Sequence, residues 1–324
     1  MMPLLEVLNL TVSFATPAGT VEAVSGIDLA IGVGECLAIV GESGSGKSQA
    51  LLGCLGLLAA NGRAQGEVRF DGMPILGLGE RELGRVRGAG IGYVFQDALG
   101  SLTPHLRIGQ TLSESLRCHR DVDAVPAMAE AQRMLERVSV PDAVARLGQF
   151  PHQLSGGTRQ RVAIAAALMP QPRLLIADEP TTALDVTVQA QIIELFRELR
   201  RDLGLALVVV THDFGVVAGL ADRVAVMYSG RIVEEGATAA VLGRPAHPYT
   251  AGLLAAMPRL DDVGGEPMRA IPGTPPAPGS RPAGCAFAPR CERASERCRH
   301  ELPVLHTVGR QSVACHHPLA GEPT

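Results

Sequence analysis

The chain contains no tryptophan, and aromatic residues make up only 3% of it. Proteins that bind nucleic acids commonly place aromatic side chains, on which bases stack, beside basic patches. No such interleaving is present here, and the formal net charge is −4 at pH 7. The composition therefore gives no reason to expect a nucleic-acid partner.

Long apolar runs are also lacking. None approaches the roughly 20 residues that a membrane-spanning helix needs, and no charged stretch followed by an apolar one marks the N-terminus as a secretion signal. Hydrophobic residues nevertheless make up 46% of the 324 positions, enough for two or three compact units. We therefore expect a cytosolic protein that reaches a membrane only through partners.

The most informative segment is glycine-rich and reads GESGSGKS over residues 41–48. A short apolar run before it predicts a buried strand, and a helix is predicted from about Lys47 through Leu58. Glycines let backbone amides close around an anion at a helix N-terminus, while Lys47 can reach the β and γ phosphates and Ser48 can ligate Mg²⁺. The predicted nucleotide-binding residues of this loop are Gly41, Glu42, Ser43, Gly44, Ser45, Gly46, Lys47 and Ser48.

Two further strands are predicted to end in polar residues. The run 173–177 precedes Asp178 and Glu179, and the run 205–210 precedes Thr211 and His212. Parallel sheets bind ligands at the carboxyl ends of their strands. Asp178 is predicted to hold Mg²⁺ through water, Glu179 to orient or deprotonate the attacking water, and His212 to donate a hydrogen bond to the γ phosphate.

Together with the sequence LSGGT at residues 154–158, these motifs resemble the nucleotide-binding subunit of an ATP-binding-cassette (ABC) transporter. The resemblance covers Leu4 to about Leu242. It implies an α/β fold with a P-loop NTPase (RecA-like) core, an ABC-type antiparallel β region and a helical insertion subdomain at about 96–168. By position it implies that Phe14 stacks on adenine and that Gln96 senses Mg²⁺ and the attacking water.

The LSGGT segment predicts a second anion site, because Ser155, Gly156 and Gly157 offer a hydroxyl and exposed amides before a helix predicted over 159–168. The resemblance implies that this site faces the γ phosphate held by another subunit, so that two chains enclose two ATP molecules. It also implies that the loop 182–185, with Asp185 among the nucleotide-site residues, crosses to the partner subunit.

Beyond residue 245 the composition changes. We predict an ATPase domain at 1–245, a linker rich in proline and glycine at 246–284, and a small cysteine-containing extension at 285–324. This tail resembles that of oligopeptide and dipeptide importer ATPases, a family that also includes nickel importers. The resemblance implies two integral-membrane permease subunits, a second ABC ATPase subunit (identical or paralogous), an extracytoplasmic solute-binding protein, and a place at the cytoplasmic face of the cell membrane.

Other functions remain open at this point. The same family contains ATPases for nickel or other small solutes, and soluble cassette ATPases act in DNA repair, translation or regulation. The importer-like tail and the absence of a long heptad insertion argue against the soluble class. An exporter normally carries a fused transmembrane domain, which the sequence lacks.

Seven cysteines divide into two groups. Three are scattered and predicted to be inert packing residues: Cys36, Cys54 and Cys118. Four are clustered, with five, six and sixteen residues between successive members: Cys285, Cys291, Cys298 and Cys315. Disulfides seldom persist in a reducing compartment, so four thiolates suggest a metal, and their spacing leaves both zinc and iron–sulfur open.

The resemblance to peptide importer ATPases implies a [4Fe–4S] cluster, with Zn²⁺ as the alternative. Because a linker separates the cysteines from Lys47, Asp178 and Glu179, we expect loss of the cluster to disturb transporter assembly more than ATP hydrolysis.

Overall fold

A computed structural model describes residues 2–182, 184–257, 271–277 and 279–319. In these residues the strands are β1 (Leu5–Thr16), β2 (Gly19–Ile31), β3 (Cys36–Val40), β4 (Gly62–Phe70), β5 (Met73–Pro74), β6 (Ile91–Val94), β7 (Leu174–Asp178), β8 (Ala206–Thr211), β9 (Arg223–Tyr228), β10 (Arg231–Ala237), β11 (His306–Val308) and β12 (Gln311–Val313).

The α-helices in the same residues are α1 (Lys47–Cys54), α2 (Glu80–Val86), α3 (Ala98–Ser101), α4 (Ile108–Arg117), α5 (Ala124–Arg137), α6 (Ala143–Leu147), α7 (Gly156–Leu168), α8 (Val186–Leu203), α9 (Phe214–Leu220), α10 (Thr238–Gly243), α11 (Pro248–Ala255) and α12 (Glu296–His300). None of them is both long and apolar enough to cross a membrane.

The chain divides into two compact units. The first comprises Met1–Leu5, Ile31–Cys36 and Phe70–Thr211, and the second comprises Glu6–Ala30, Leu37–Arg69 and His212–Thr324. Each unit therefore draws on segments far apart in the sequence.

The first unit contains three parallel strands in the order β6, β7, β8. Strands β7 and β8 are fully buried, as expected of strands covered on both faces. Helix α8 connects them, and it places its apolar residues Ile192, Leu195 and Leu199 in the interior. Both strands were expected from their apolar runs, and the structure shifts each by one residue, so that Asp178 belongs to β7.

The insertion between β6 and β7 is helical, as predicted, with α4, α5 and α7 packed on one another. The segment that follows β6 also begins with a short helix. Its residues Ala98–Ser101 form α3, because the Asp97 side chain accepts a hydrogen bond from the Leu99 N–H and caps the helix.

The second unit carries the glycine-rich segment 41–48, the predicted phosphate loop. Strand β3 pairs in parallel with β9, and β9, β10, β12 and β11 continue in that order with antiparallel pairing. Strands β2, β1 and β4 are neighbours in a separate sheet. Helix α1 ends at Cys54 and not near Leu58, because the chain turns at Gly56, where φ is +61°.

The C-terminal segment, residues 285–319, contributes to the core of the second unit. Phe287 packs in one apolar cluster with Val40 of β3, Tyr228 of β9 and Tyr249 of α11, and β12 pairs with β10. Part of the predicted linker (258–270 and 278) and the last residues, 320–324, lie outside the described residues. The boundaries at 245 and 284 therefore stay predictions.

Candidate active site

The phosphate loop follows β3 and leads directly into α1, as the sequence predicts. Two glycines are required by the local geometry. At Gly46 the backbone has φ of +101°, which side chains disfavour. At Gly41 an added Cβ would lie 2.1 Å from the Met227 carbonyl oxygen. The loop thus leaves its strand through positions that only glycine fits.

Lys47 lies inside this loop with only 5% of its surface exposed. Its Nζ donates to the carbonyl oxygens of Gly41 at 2.7 Å and Glu42 at 2.9 Å. The ammonium group is therefore held among the backbone groups that, in the predicted mode, surround a phosphate. Ser48 follows it in the first turn of α1.

Glu42, the second residue of the loop, has partners from far along the chain. Its N–H donates to the Tyr249 hydroxyl at 2.9 Å, and its carboxylate forms an ion pair with Arg290 at 2.7 Å. Neither Tyr249 nor Arg290 was predicted as a site residue. The expectation that a linker separates the C-terminal segment from the phosphate loop is wrong, since Arg290 contacts that loop directly.

Asp178 ends β7 with 5% of its surface exposed. The Tyr93 hydroxyl, from β6, donates to its Oδ2 at 3.0 Å, because the parallel pairing aligns these two strand ends. Tyr93 was not predicted from the sequence, although it lies three residues before the predicted Gln96. A buried carboxylate with a fixed hydrogen-bond donor suits a metal-binding role.

Glu179 follows in a backbone conformation with φ of +46°, which is rare for a residue other than glycine and common at functional sites. Its N–H donates to the Val210 carbonyl at the end of β8. Its carboxylate Oε2 accepts two hydrogen bonds of 2.9 Å, from Gln96 Nε2 and Thr182 Oγ1. The structure thus brings together the predicted base and Gln96, and it adds Thr182.

The LSGGT segment at residues 154–158, the signature segment, spans the N-terminus of α7. Ser155 caps this helix, since its hydroxyl accepts a hydrogen bond from the Thr158 N–H, and both Ser155 and Gly156 are exposed. At Gly157 an added Cβ would lie 2.8 Å from Val188 Cγ1, so a side chain would clash with α8. An exposed N-terminus of a 13-residue helix is the geometry that the predicted second anion site requires.

The remaining predicted nucleotide-site residues have clear positions. His212 is exposed and directly follows β8. Asp185 caps α8 through the Val188 N–H at 2.9 Å, and its loop includes Ala183, which lies outside the described residues. Phe14 is half-buried on β1. Their roles toward ATP stay predictions.

The four clustered cysteines line one small cavity with Phe287 and His317. None forms a disulfide. Burial raises the pKa of the Cys285 thiol, and that of Cys315 to about 11, and in both the neighbouring thiols add to the effect. Four neighbouring sulfur atoms are a donor set that zinc and iron–sulfur clusters accept. However, within the described residues no group of three or more histidine, cysteine or acidic side chains has a geometry that could hold a metal ion.

The other cysteines differ from one another. Cys36 and Cys54 are buried, as predicted for packing residues, and burial raises the pKa of Cys54 to about 12. Cys118 is exposed. The expectation of a buried thiol is therefore wrong for Cys118, because it follows the last residue of α4 at the surface.

Two family models match the chain. The model named ABC transporter matches residues 24–182, which include the phosphate loop, the signature and Asp178–Glu179. The model named oligopeptide/dipeptide transporter, C-terminal region, matches residues 233–298, which include Tyr249, Arg290 and three of the four clustered cysteines.

Relatives match over nearly the whole chain. The oligopeptide transport ATP-binding protein OppD of Salmonella typhimurium is 50% identical over 316 residues, 98% of this chain and 94% of the relative. OppD of Haemophilus influenzae is 50% identical over 299 residues, 92% of each. A solved structure, the dimeric ATP-binding cassette MJ0796 in a post-hydrolysis state bound to ADP and Pi, is 31% identical with a TM-score of 0.65, covering 72% of this chain and 98% of that chain.

Proposed function

The chain belongs to the ABC transporter family of ATP-binding proteins and is an ATPase of that type, and from this premise we propose that it energises import of oligopeptides through a membrane transporter. One observation carries the cargo class: identity of 50% to an oligopeptide transport ATP-binding protein extends over 98% of the chain, including the C-terminal region. The predicted family resemblance and α/β P-loop fold are confirmed.

In the proposed mechanism, the phosphate loop binds the β and γ phosphates. Lys47 exchanges its hydrogen bonds to the Gly41 and Glu42 carbonyls for phosphate oxygens, while the loop amides and the start of α1 favour the negative charge. The proposed Mg²⁺ ligands are Ser48, Gln96 and Asp178, each of which offers an oxygen atom, and Mg²⁺ would neutralise phosphate charge when bound.

Glu179 is the proposed general base. Gln96 and Thr182 both donate to its Oε2, and these bonds fix the direction of the carboxylate. A carboxylate held in this way can orient the attacking water and accept its proton. The rare backbone conformation at Glu179 supports the role, because strain persists where function requires it.

The exposed signature helix supports a two-chain site. We propose that Ser155, Gly156 and Gly157 bind the γ phosphate of an ATP held by a second ATPase subunit, identical or paralogous. The related cassette MJ0796 is described as a dimer. His212 is proposed to donate a hydrogen bond to the γ phosphate at the site of its own chain, Asp185 to lie in the loop that crosses to the partner subunit, and Phe14 to stack on the adenine.

We propose two integral-membrane permease subunits and an extracytoplasmic solute-binding protein as further partners, at the cytoplasmic face of the membrane. The test is purification of the chain with its untagged partners from native membranes, followed by reconstitution into proteoliposomes. We expect ATP-dependent uptake of a labelled tripeptide, which Lys47→Ala abolishes. Uptake of nickel but not of peptide would show that the cargo is nickel and not an oligopeptide. Purification without membrane partners would favour a soluble ATPase.

For the cysteines we propose a [4Fe–4S] cluster, with Zn²⁺ as the alternative. The four thiols around one cavity support it, and the cluster would tie together chain segments that are short of regular structure. Anaerobically purified protein should contain about four irons per chain and absorb broadly near ~400 nm. Cys298→Ser should abolish both signals and Cys118→Ser neither. Zinc without iron would select the alternative, and absence of both metals would contradict the proposal.

A further inference from the structure

Arg290 of the C-terminal segment forms a two-point ion pair with Glu42 of the phosphate loop. Its Nη1 and Nη2 lie 2.7 Å and 3.0 Å from the two carboxylate oxygens, and its side chain is only 4% exposed. We propose that Arg290 is a positioning residue for the phosphate loop. The C-terminal segment thereby contributes to ATP binding.

Arg290 has its own fixed orientation. Its Nε donates to the Pro272 carbonyl oxygen at 2.9 Å, and Nη1 also lies 3.3 Å from the Tyr228 hydroxyl. The guanidinium carbon lies 5.8 Å and 5.9 Å from the ring centroids of Tyr228 and Phe287. A buried guanidinium needs such partners, and together they present a rigid pair of donors to Glu42.

Glu42 is held at each of its polar groups. Besides the carboxylate bound by Arg290, its N–H donates to the Tyr249 hydroxyl at 2.9 Å, and its carbonyl accepts from Lys47 Nζ at 2.9 Å. Displacement of Glu42 would therefore displace a partner of the lysine that binds phosphate, along with the loop amide beside it. An ion pair that fixes Glu42 keeps the loop preorganised before the nucleotide arrives.

The turn that carries Arg290 is fixed by the cysteine-containing segment. Ala288–Arg290 form a short 3₁₀ helix between Cys285 and Cys291, and the Cys285 N–H donates to the Cys298 carbonyl oxygen at 2.8 Å. At the preceding Gly284 an added Cβ would lie 2.4 Å from that same oxygen. The position of Arg290 thus depends on close packing within the C-terminal segment.

The test uses the full chain with ATP and no transport partner. We expect Arg290→Gln to raise both the Kd and the KM for MgATP about tenfold, as a loss of roughly 1.4 kcal/mol produces, while kcat changes by less than about threefold. The matched control is Arg297→Gln. Arg297 belongs to the same segment but is exposed and pairs with Glu301, so its loss should change neither constant.

A second variant covers the case that Arg290→Gln does not fold. Glu42→Gln removes the same ion pair from the loop side, where the side chain is 28% exposed, and should raise KM in the same way. Since both variants break one pair, the double variant should be no weaker in ATP affinity than the worse single variant.

A folded Arg290→Gln or Glu42→Gln chain whose ATP affinity lies within twofold of wild type would overturn the inference. So would additive effects of the two substitutions on affinity. These results are independent of the cargo, because a transporter of any solute could show them, and failure of peptide uptake would leave them unchanged.

Discussion

The carboxylates at the end of β7 and the phosphate loop after β3 are supported in different ways. Glu179 receives hydrogen bonds from Thr182, three residues away, and from Gln96, which follows the neighbouring strand β6. Glu42 of the phosphate loop is bound by Tyr249, 207 positions later, and by Arg290, 248 positions later. The first arrangement is built within the ATPase motifs, whereas the second depends on the far end of the chain.

Tyrosine is scarce in this chain, yet tyrosine hydroxyls form contacts in both regions. The chain has only three, and Tyr93 donates to Asp178, Tyr249 accepts from the Glu42 N–H, and Tyr228 contacts Arg290. A tyrosine combines a ring that packs with a hydroxyl that needs a partner when buried. In this chain each of the three hydroxyls contacts either a predicted nucleotide-site residue or Arg290, which binds one.

The largest expected effect separates catalysis from binding. Glu179→Gln removes the proposed base but keeps hydrogen-bonding atoms toward Gln96 and Thr182, so turnover should fall by about 10²-fold or more while ATP binding persists. Steady-state ATPase assays and nucleotide-binding measurements check this. Sedimentation should also show ATP-dependent pairing of the variant chains.

Lys47→Ala is the contrasting variant for that experiment, because it should weaken nucleotide binding itself. If Glu179→Gln hydrolysed ATP at a rate comparable to wild type, the assignment of the base would be wrong. If a strictly monomeric chain hydrolysed ATP at the full rate, the two-chain site would be wrong.

A smaller effect should distinguish the hydroxyls of two tyrosines. Tyr249→Phe removes the acceptor of the Glu42 N–H but keeps the ring, whose centroid lies 4.6 Å from that of Tyr228 with the two ring planes tilted by 58°. One lost hydrogen bond is worth about 0.5–1.5 kcal/mol, so the Kd for ATP should rise about two- to tenfold with little change in turnover. Titration with a fluorescent ATP analogue measures the shift.

Tyr93→Phe is the matched change in the other region. It removes the donor to Asp178, so we expect turnover to fall a few-fold and ATP affinity to change less. Equal effects of the two substitutions on both constants would contradict the contrast between the regions.

The smallest effect concerns stability and pH. Burial lowers the pKa of His247 from 6.5 to about 3, and its Nδ1 accepts the Tyr249 N–H at 3.0 Å. His247 binds a proton more readily in the unfolded chain than in the folded one. Its contribution to the free energy of unfolding is therefore complete above about pH 6.5 and is lost as the pH falls toward 3. Thermal unfolding between pH 7 and 5 should show a decline in the midpoint.

The control for His247 must account for its buried neighbour. Glu234 accepts hydrogen bonds from the Ala246 and His247 N–H groups, and burial raises its pKa, so acidification acts through Glu234 in the opposite, stabilising direction. His247→Asn keeps a side chain that can cap α11 and removes only the titrating ring. If its pH profile matched that of wild type, the decline would not come from His247.

Sequence reasoning found most of the nucleotide motifs because their chemistry is local. The glycines, Lys47 and Ser48 are consecutive, and apolar runs predict the strands that end at Asp178 and Thr211. It missed Tyr93, Tyr249 and Arg290, since nothing in their spacing relates them to a motif. It also gave α1 four extra residues, because the turn at Gly56 depends on its backbone conformation.

By itself the sequence determined the type of chemistry, that of an ABC-type ATPase: it contains a glycine-rich loop before a helix, carboxylates at a strand end, and a signature segment predicted to bind a second anion. These features depend on backbone geometry and on neighbouring residues, which a linear pattern records. Only the tertiary structure decided that Glu42 is held by Arg290 and Tyr249. The physical reason is that an ion pair and a hydrogen bond across more than two hundred residues form only when packing of the C-terminal segment in the core brings their partners within 3 Å.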